Sequence, residues 1–341
     1  MAEKSARSVN RREALTWLVS MGLAAAAGTA DGGTQPHRTR ARSTMRPGRA
    51  YGKVFQLHSP HLLGADGDVD SERAFSMLDR AVRGLTGAPT SGTAWRGLFR
   101  SDDVVGIKLN CLAGKPLSPH PGLVLALVRG LRMAGIPPKH VIVWDRSNRE
   151  LQYAGFRIRT RGERYRCYGT DRVGYENQPR ILGSIGSCFS NILNEISALI
   201  NVPVLKDHDL AGASIGMKNF YGAIHNPNKY HDAQCDPYIA DLNRHPLIDG
   251  KLKLIVCDAA LAVFHRGPSF SRRWSWKMNG LLVATDPVAL DRVGVEIIER
   301  QRVRAGLASL GESGREPRWI DTASTAGLGE GRSGRIQVMK G

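Results

Sequence analysis

One stretch of the chain, residues 206–231, concentrates side chains that can bind anions or transfer protons. It holds three lysines and three histidines, separated largely by small residues. Lysine ammonium groups attract carboxylates and phosphates, and imidazole titrates near neutral pH. We therefore predict that Lys206 and His208 are catalytic and that Lys218 and Asn219 bind an anionic small molecule.

The three histidines of this stretch also admit a metal site. His208, His225 and His231 are candidate ligands for a divalent cation, because imidazole is a common metal ligand. Asp207, Asp232 and Cys235 are further candidates, although the spacing matches no short metal signature. His208 suits general acid or base chemistry equally well, and the neighbouring Asp207 and Asp209 would favour its protonated form. The sequence leaves both roles open.

Four short apolar runs predict buried strands, and each ends in polar or charged side chains. The runs are 104–110, 140–145, 200–206 (with Pro203 at an edge or bulge) and 252–258. Ligands of parallel sheets bind beyond the carboxyl ends of the strands. Lys108, Asn110, Asp145 and Asp258 are therefore expected to converge with Lys206 at one edge, and Lys108, Asn110 and Asp258 are predicted ligand-binding residues.

Helical patterns alternate with these strands. Apolar spacing predicts helices over 71–85, 121–135, 192–199 and 287–300, and a short helix over 214–220 whose first amides would face an anion. Asp286 precedes Pro287 as a helix cap, and Asp291 lies one turn further; both are also candidates for ligand binding. The alternation predicts an α/β fold, a largely parallel sheet flanked by helices.

The N-terminal residues predict export. Arg11 and Arg12 precede a mildly apolar run over 15–27, a layout typical of a twin-arginine translocation (Tat) signal peptide spanning residues 1–30. The run is shorter than a membrane-spanning helix, so we expect no transmembrane span in the mature protein. The predicted partner is the Tat export machinery, and the predicted location is periplasmic or otherwise exported.

The amino-acid composition divides the chain after the signal peptide into three segments. Residues 31–50 form a flexible basic linker, 51–301 the α/β domain, and 302–341 a loose Gly- and Arg-rich segment with one late strand near 335–338. The formal net charge is +17, yet no nucleic-acid-binding module is recognisable, so nucleic acid is an unlikely partner. The five cysteines include no Cys-x-x-Cys pair, which argues against an iron–sulfur cluster held by this chain.

Five motifs in order resemble the bacterial and archaeal family called domain of unknown function 362 (DUF362). They are residues 105–110, 202–208, 216–222, the 252–258 strand followed by Gly267-Pro268, and 284–291. The resemblance implies an α/β fold and a shared polar site at Lys108, Lys206, His208, Lys218, Asn219, Asp258, Asp286 and Asp291. Some members carry ferredoxin-type modules, and this chain departs from them by lacking a cysteine cluster.

Three functional hypotheses follow. The leading one is an exported enzyme that depends on an unknown cofactor, with a divalent metal as one candidate, and acts on an anionic small molecule. The first alternative is a non-catalytic periplasmic binding protein for an acidic ligand. The second is a polyanion-binding protein that uses the basic surface, including the arginines of residues 157–166.

Overall fold

The computed structural model describes residues 50–341, and the predicted signal peptide, Arg11, Arg12 and all but the last residue of the predicted linker lie outside that part. Its centre is a ten-stranded sheet whose pairings are mostly parallel, as the sequence predicted. The strands are β1 (Lys53–His58), β2 (Val105–Lys108), β3 (Val141–Trp144), β4 (Arg166–Cys167), β5 (Arg180–Leu182), β6 (Ile185–Ser187), β7 (Ala198–Asn201), β8 (Val204–His208), β9 (Gly212–Ser214), β10 (Leu252–Val263), β11 (Ser275–Ala284) and β12 (Gln337–Lys340). β5 and β6 form a separate hairpin.

Helices cover both faces of the sheet. They are α1 (Ser71–Thr86), α2 (Ser91–Leu98), α3 (Pro121–Met133), α4 (Asn148–Tyr153), α5 (Thr170–Val173), α6 (Ile192–Glu195), α7 (Tyr238–Arg244), α8 (Pro246–Asp249), α9 (Pro287–Arg304) and α10 (Trp319–Thr325). Helices α1, α2 and α3 share one apolar core with β2 and β3, and α9 packs in a second core with β8, β10 and β11. The two cores lie on opposite faces because successive side chains of a strand alternate between faces.

The sheet order is β12-β1-β11-β10-β7-β2-β3-β4, with β8 and β9 branching from β10. β7 and β8 both pair in parallel with β10, β7 near its start and β8 further along. The predicted single strand over 200–206 is thus two strands. Pro203, which was expected at an edge or bulge of one strand, lies at the break between the two, and its carbonyl accepts the Asp258 amide at 2.8 Å.

Local signals account for the helix ends. Asp70 caps α1 by accepting the amides of Glu72 and Arg73, and Gly87 ends it with φ of 70°, a left-handed conformation that favours glycine. Asp286 caps α9 as predicted. The helix predicted over 192–199 is wrong beyond its first turn: α6 is only four residues long, and its continuation is β7.

The C-terminal segment is not loose. Residues 302–341 belong to the same compact unit as the rest of the described chain. Trp319 of α10 is fully buried and donates its indole N–H to the Ala211 carbonyl at 3.0 Å. β12 pairs in parallel with β1, two residues later than the strand predicted near 335–338. The sequence of this segment is rich in Gly and Arg and does not predict these contacts, because they are made with residues far away in the sequence.

Within residues 50–341, no helix combines the length and apolar character needed to cross a membrane.

Candidate functional site

The ends of three strands surround one cavity of about 250 Å³. Lys108 ends β2, Asp145 follows β3, and Lys206 and His208 lie at the end of β8. β2 and β3 run parallel, so their carboxyl ends meet at the same edge of the sheet. The structure thus brings together the polar strand ends of the sequence prediction, with the exception of Asp258, which does not line this cavity.

Lys108 is held by an ion pair. Its Nζ lies 2.5 Å from Asp145 Oδ1 and 2.6 Å from the Leu109 carbonyl oxygen, and the side chain is fully buried. Asp145 Oδ2 accepts the Cys111 amide at 2.6 Å. Breaking such a pair leaves an uncompensated buried charge, which destabilises a protein by about 3–5 kcal/mol. Lys108 and Asp145 therefore neutralise each other where they line the cavity.

A chain of side-chain amides links three parts of the site. Asn110 donates from Nδ2 to Asn219 Oδ1 at 3.2 Å, and its own Oδ1 accepts Lys206 Nζ at 2.7 Å. Asn219 donates to Asn201 Oδ1 at 2.7 Å, and Asn201 donates to the Gly216 carbonyl at 2.7 Å. This network fixes the orientation of Lys206 and ties β2, β7 and the 216–219 loop together.

Two further lysines carry buried charge without an acid. Within residues 50–341, neither Lys206 nor Lys218 has a carboxylate oxygen within 4 Å. Lys218 Nζ lies 3.1 Å from His231 Nε2 and 4.0 Å from the centroid of the Tyr221 ring. Burial lowers the pKa of Lys206 to about 8 and that of Lys218 to about 8. A bound anion would offset this desolvation.

His208 is fixed as a neutral hydrogen-bond donor. Its Nδ1 accepts the amides of Leu210 at 3.1 Å and Ala211 at 3.3 Å, so in the neutral ring the proton sits on Nε2. Burial, followed by the charge of Lys218, lowers the pKa of His208 to about 2. The expectation that Asp207 and Asp209 would favour a protonated His208 is therefore wrong.

Asp207 serves another part of the fold. Its carboxylate accepts Arg315 Nη1 at 3.0 Å and the Gly267 amide at 3.0 Å, so that arginine compensates its charge. Asp209 also lies 3.8 Å from the Arg315 guanidinium. Both carboxylates thus bind the C-terminal segment to the strand that carries His208.

The predicted histidine trio does not assemble. His208 and His231 stack with ring centroids 5.7 Å apart, but His225 lies outside the cavity lining, against the Tyr175 ring. His208 Nε2 holds a proton, and His231 Nε2 directs its lone pair to the Lys218 ammonium, so in this arrangement neither nitrogen is free to bind a metal ion. Among the described residues, no group of three or more His, Cys, Asp or Glu side chains is placed to hold a metal ion. The divalent metal that the sequence suggested, with Asp232 and Cys235 among its candidate ligands, stays a prediction.

Two predicted ligand-binding aspartates have structural partners away from the cavity. Asp258 accepts both the amide and the ring Nδ1 of His120, at 3.0 and 2.8 Å. Although burial opposes it, His120 holds the pKa of Asp258 below its usual range. Asp286 accepts four backbone amides. Those of Val288 and Ala289 form the predicted helix cap, and those of Gly52 and Glu330 connect Asp286 to the first and last parts of the described chain.

Asp291 supports the loop that carries Lys218. Its two carboxylate oxygens accept the consecutive amides of Gly216 and Met217, at 2.7 and 2.8 Å. The sequence predicted that these amides would face an external anion, as the start of a helix over 214–220. That prediction is wrong, because these amides bind the carboxyl group of the protein's own Asp291 and the helix begins only at Lys218 as a 3-10 turn.

The cavity also contains residues that sequence reasoning missed. Arg146 and Glu150 line it and pair with each other at 2.7 Å. Tyr221 lies beneath Lys218, and Asn201 anchors the amide network from the end of β7. Arg146 directly follows the strand-end Asp145, which was a usable signal, whereas the roles of Tyr221 and Asn201 depend on contacts across the fold.

The family described as domain of unknown function (DUF362) matches residues 105–296, from the start of β2 into α9. A search of curated proteins finds no match to the chain. The matched span includes every strand end that lines the cavity, the lysine-bearing 218–223 turn and the aspartate that supports it. Because the match extends over more than half of its 341 residues, the chain belongs to the DUF362 family.

Proposed function

We propose that this protein is an exported enzyme that binds a small anionic molecule in the lysine-lined cavity and acts on it there. The observation that carries the proposal is the pair of buried ammonium groups, Lys206 and Lys218, which share one cavity without a carboxylate partner among residues 50–341. Burying a charge without compensation is unfavourable, so such a pair is retained where a ligand supplies the opposite charge.

The balance of charge in the cavity supports an anionic ligand. Four cations line it, Lys108, Arg146, Lys206 and Lys218, and two of them are paired with the carboxylates of Asp145 and Glu150. The two remaining positive charges, together with the Nε2–H of His208, would meet a carboxylate or a phosphate. Each charge-assisted hydrogen bond to such a group is roughly twice as strong as a neutral one.

The test compares anion binding by the wild type and by the Lys206→Met variant in titration calorimetry, with oxalate and inorganic phosphate as the probes. Removing one buried cation should weaken binding by about 2 kcal/mol, or about thirtyfold in Kd, and the wild-type affinity should fall as salt is added. The melting temperature should not fall, since methionine fills the same volume without a desolvated charge.

Lys229→Met is the matched control, because Lys229 is exposed and does not line the cavity. It should bind both probes as the wild type does. Equal binding by Lys206→Met and the wild type, or no binding of either probe by the wild type, would refute the proposal.

A binding protein without catalytic activity is the second candidate. It is favoured by one observation: both carboxylates that line the cavity, Asp145 and Glu150, are paired with cations and so are poor general bases. The two candidates differ in turnover. Mass spectrometry of the recovered ligand distinguishes them, since an enzyme returns an altered molecule and a binding protein returns the same one.

A further inference from the structure

Lys218 differs from the other cavity lysines in what its amine contacts. Lys108 is tied to the carboxylate of Asp145, and Lys206 donates to the neutral amide oxygen of Asn110 and is fully buried. Lys218 alone among them lies within hydrogen-bond distance of an imidazole nitrogen, His231 Nε2, at 3.1 Å. An ammonium needs an acceptor for its proton before it can act as a nucleophile, and Lys218 has one.

His231 is oriented to take that proton. Its Nδ1 lies 3.1 Å from the Pro227 carbonyl oxygen, which can only accept, so Nδ1 carries the ring proton and Nε2 presents its lone pair to Lys218. A nucleophile in contact with a base that is itself held by a third group is the arrangement of nucleophilic catalysis. His231 is half-buried and reaches the surface, whereas Lys218 is 5% exposed and faces the cavity.

We propose that Lys218, with His231 as its base, forms an imine with the carbonyl group of a small anionic substrate such as a 2-oxo acid or an aldehyde phosphate. This step rests on the proposed function, because the anionic group must be held by the remaining unpaired cation of the cavity, Lys206, together with the Nε2–H of His208. Burial lowers the pKa of Lys218 to about 8, so near neutral pH a usable fraction of its amine is free.

The step balances without a further reactant. The Lys218 ammonium gives one proton to His231 Nε2, and the free amine adds to the carbonyl carbon to form a carbinolamine. A second proton moves from the nitrogen to the former carbonyl oxygen. His231 then returns its proton to that hydroxyl, which leaves as water, and the carbon–nitrogen double bond forms. The product is a protonated imine that carries the positive charge the ammonium had.

The surroundings favour this product. The Tyr221 ring lies 4.0 Å from Lys218 Nζ, and its face stabilises a cation whether ammonium or iminium. Cys235 is the other nucleophile next to Lys218, but burial raises the pKa of its thiol, which keeps it protonated and unreactive. The amine is therefore the reactive group at this position.

Reductive trapping tests the inference on the full-length wild-type protein. The protein is incubated separately with pyruvate and with glycolaldehyde phosphate in the presence of cyanoborohydride, and the adduct is located by peptide mass mapping. We expect one adduct per chain, on Lys218, with at least one of the two carbonyl compounds. An adduct with pyruvate indicates a carboxylate substrate, and one with glycolaldehyde phosphate indicates a phosphate.

Three variants complete the test. Lys218→Arg should lose the adduct, Lys229→Arg should keep it, and His231→Gln should form it at least about tenfold more slowly while binding oxalate as the wild type does. Because mapping uses the wild type, the result stands even where a variant misfolds. Labelling confined to other lysines, or no adduct where oxalate binds, overturns this inference alone; no adduct together with no binding of oxalate or phosphate overturns the proposed function as well.

Discussion

A single pair of hydrogen bonds decides what His208 can do. With two amides donating to Nδ1, the ring is held neutral with its proton on Nε2, and its pKa is lowered to about 2 by burial and by the charge of Lys218. We therefore expect nitrogen NMR of the imidazole to show protonated Nε2 and unprotonated Nδ1 throughout the neutral range. The role that remains is donation of a hydrogen bond to a ligand oxygen.

The same spectrum tests the metal hypothesis. A divalent cation on His208 Nε2 would require the proton to move to Nδ1, against the Leu210 and Ala211 amides. Adding zinc to the protein should therefore leave the His208 signals unchanged. A shift of both nitrogens on stoichiometric zinc would show that the ring reorients and that the metal site exists.

At the scale of secondary-structure elements, α9 holds in place the loop that carries Lys218. Asp291, in its second turn, accepts the Gly216 and Met217 amides, and burial raises its pKa to about 7, although those amides lower it in part. In the unfolded chain an aspartate titrates near about 3.9. Between these values the folded protein binds a proton that the unfolded chain does not. Asp291 thus contributes stability at low pH that is lost as pH rises through about 7.

Asp291→Asn removes this proton and should flatten that part of the stability profile. As the pH falls from about 7 towards about 4, the free energy of unfolding of the wild type should rise relative to that of the variant by about 1.4 kcal/mol for each pH unit. Urea unfolding of both proteins at several pH values measures the difference. Asp66→Asn is the control, since Asp66 is exposed. If the wild-type and Asp291→Asn profiles run parallel, Asp291 does not titrate in this window.

Local signals predicted the elements that depend on neighbours in sequence. α1 and α3 followed from apolar spacing, and α9 from the Asp286-Pro287 start. The β1–β12 pairing was not predictable, because it joins strands nearly 300 residues apart that carry ordinary composition. The residues of the candidate site show the same difference between what local sequence predicts and what depends on distant contacts. Strand order brought the predicted lysines together, whereas the tautomer of His208 and the partner of Asp291 depend on turns and packing that periodicity does not report.

At the scale of the whole molecule, the export prediction has a consequence for the state of the thiols. None of the five cysteines forms a disulfide, and four of them are buried: Cys111, Cys167, Cys235 and Cys257. A chain that crossed the membrane unfolded would expose these thiols to the oxidising periplasm, where disulfides form readily. A chain that folds first in the cytoplasm keeps them in the core. The predicted Tat signal would deliver it in that state.

The sequence predicts that the location of the protein depends on the twin arginines, Arg11 and Arg12. We expect full-length protein produced in a Tat-competent bacterium to appear in the periplasmic fraction, and Arg11→Lys/Arg12→Lys to remain in the cytoplasm, because the exporter reads the arginine pair and not charge alone. Arg7→Lys is the matched control and should be exported, since it lies outside the pair. Cell fractionation measures the location of the protein, and free-thiol counting on each fraction measures the redox state of its cysteines. The buried cysteines of the exported protein should remain reduced. Periplasmic delivery of the double variant, or disulfides in the exported wild type, would contradict folded export.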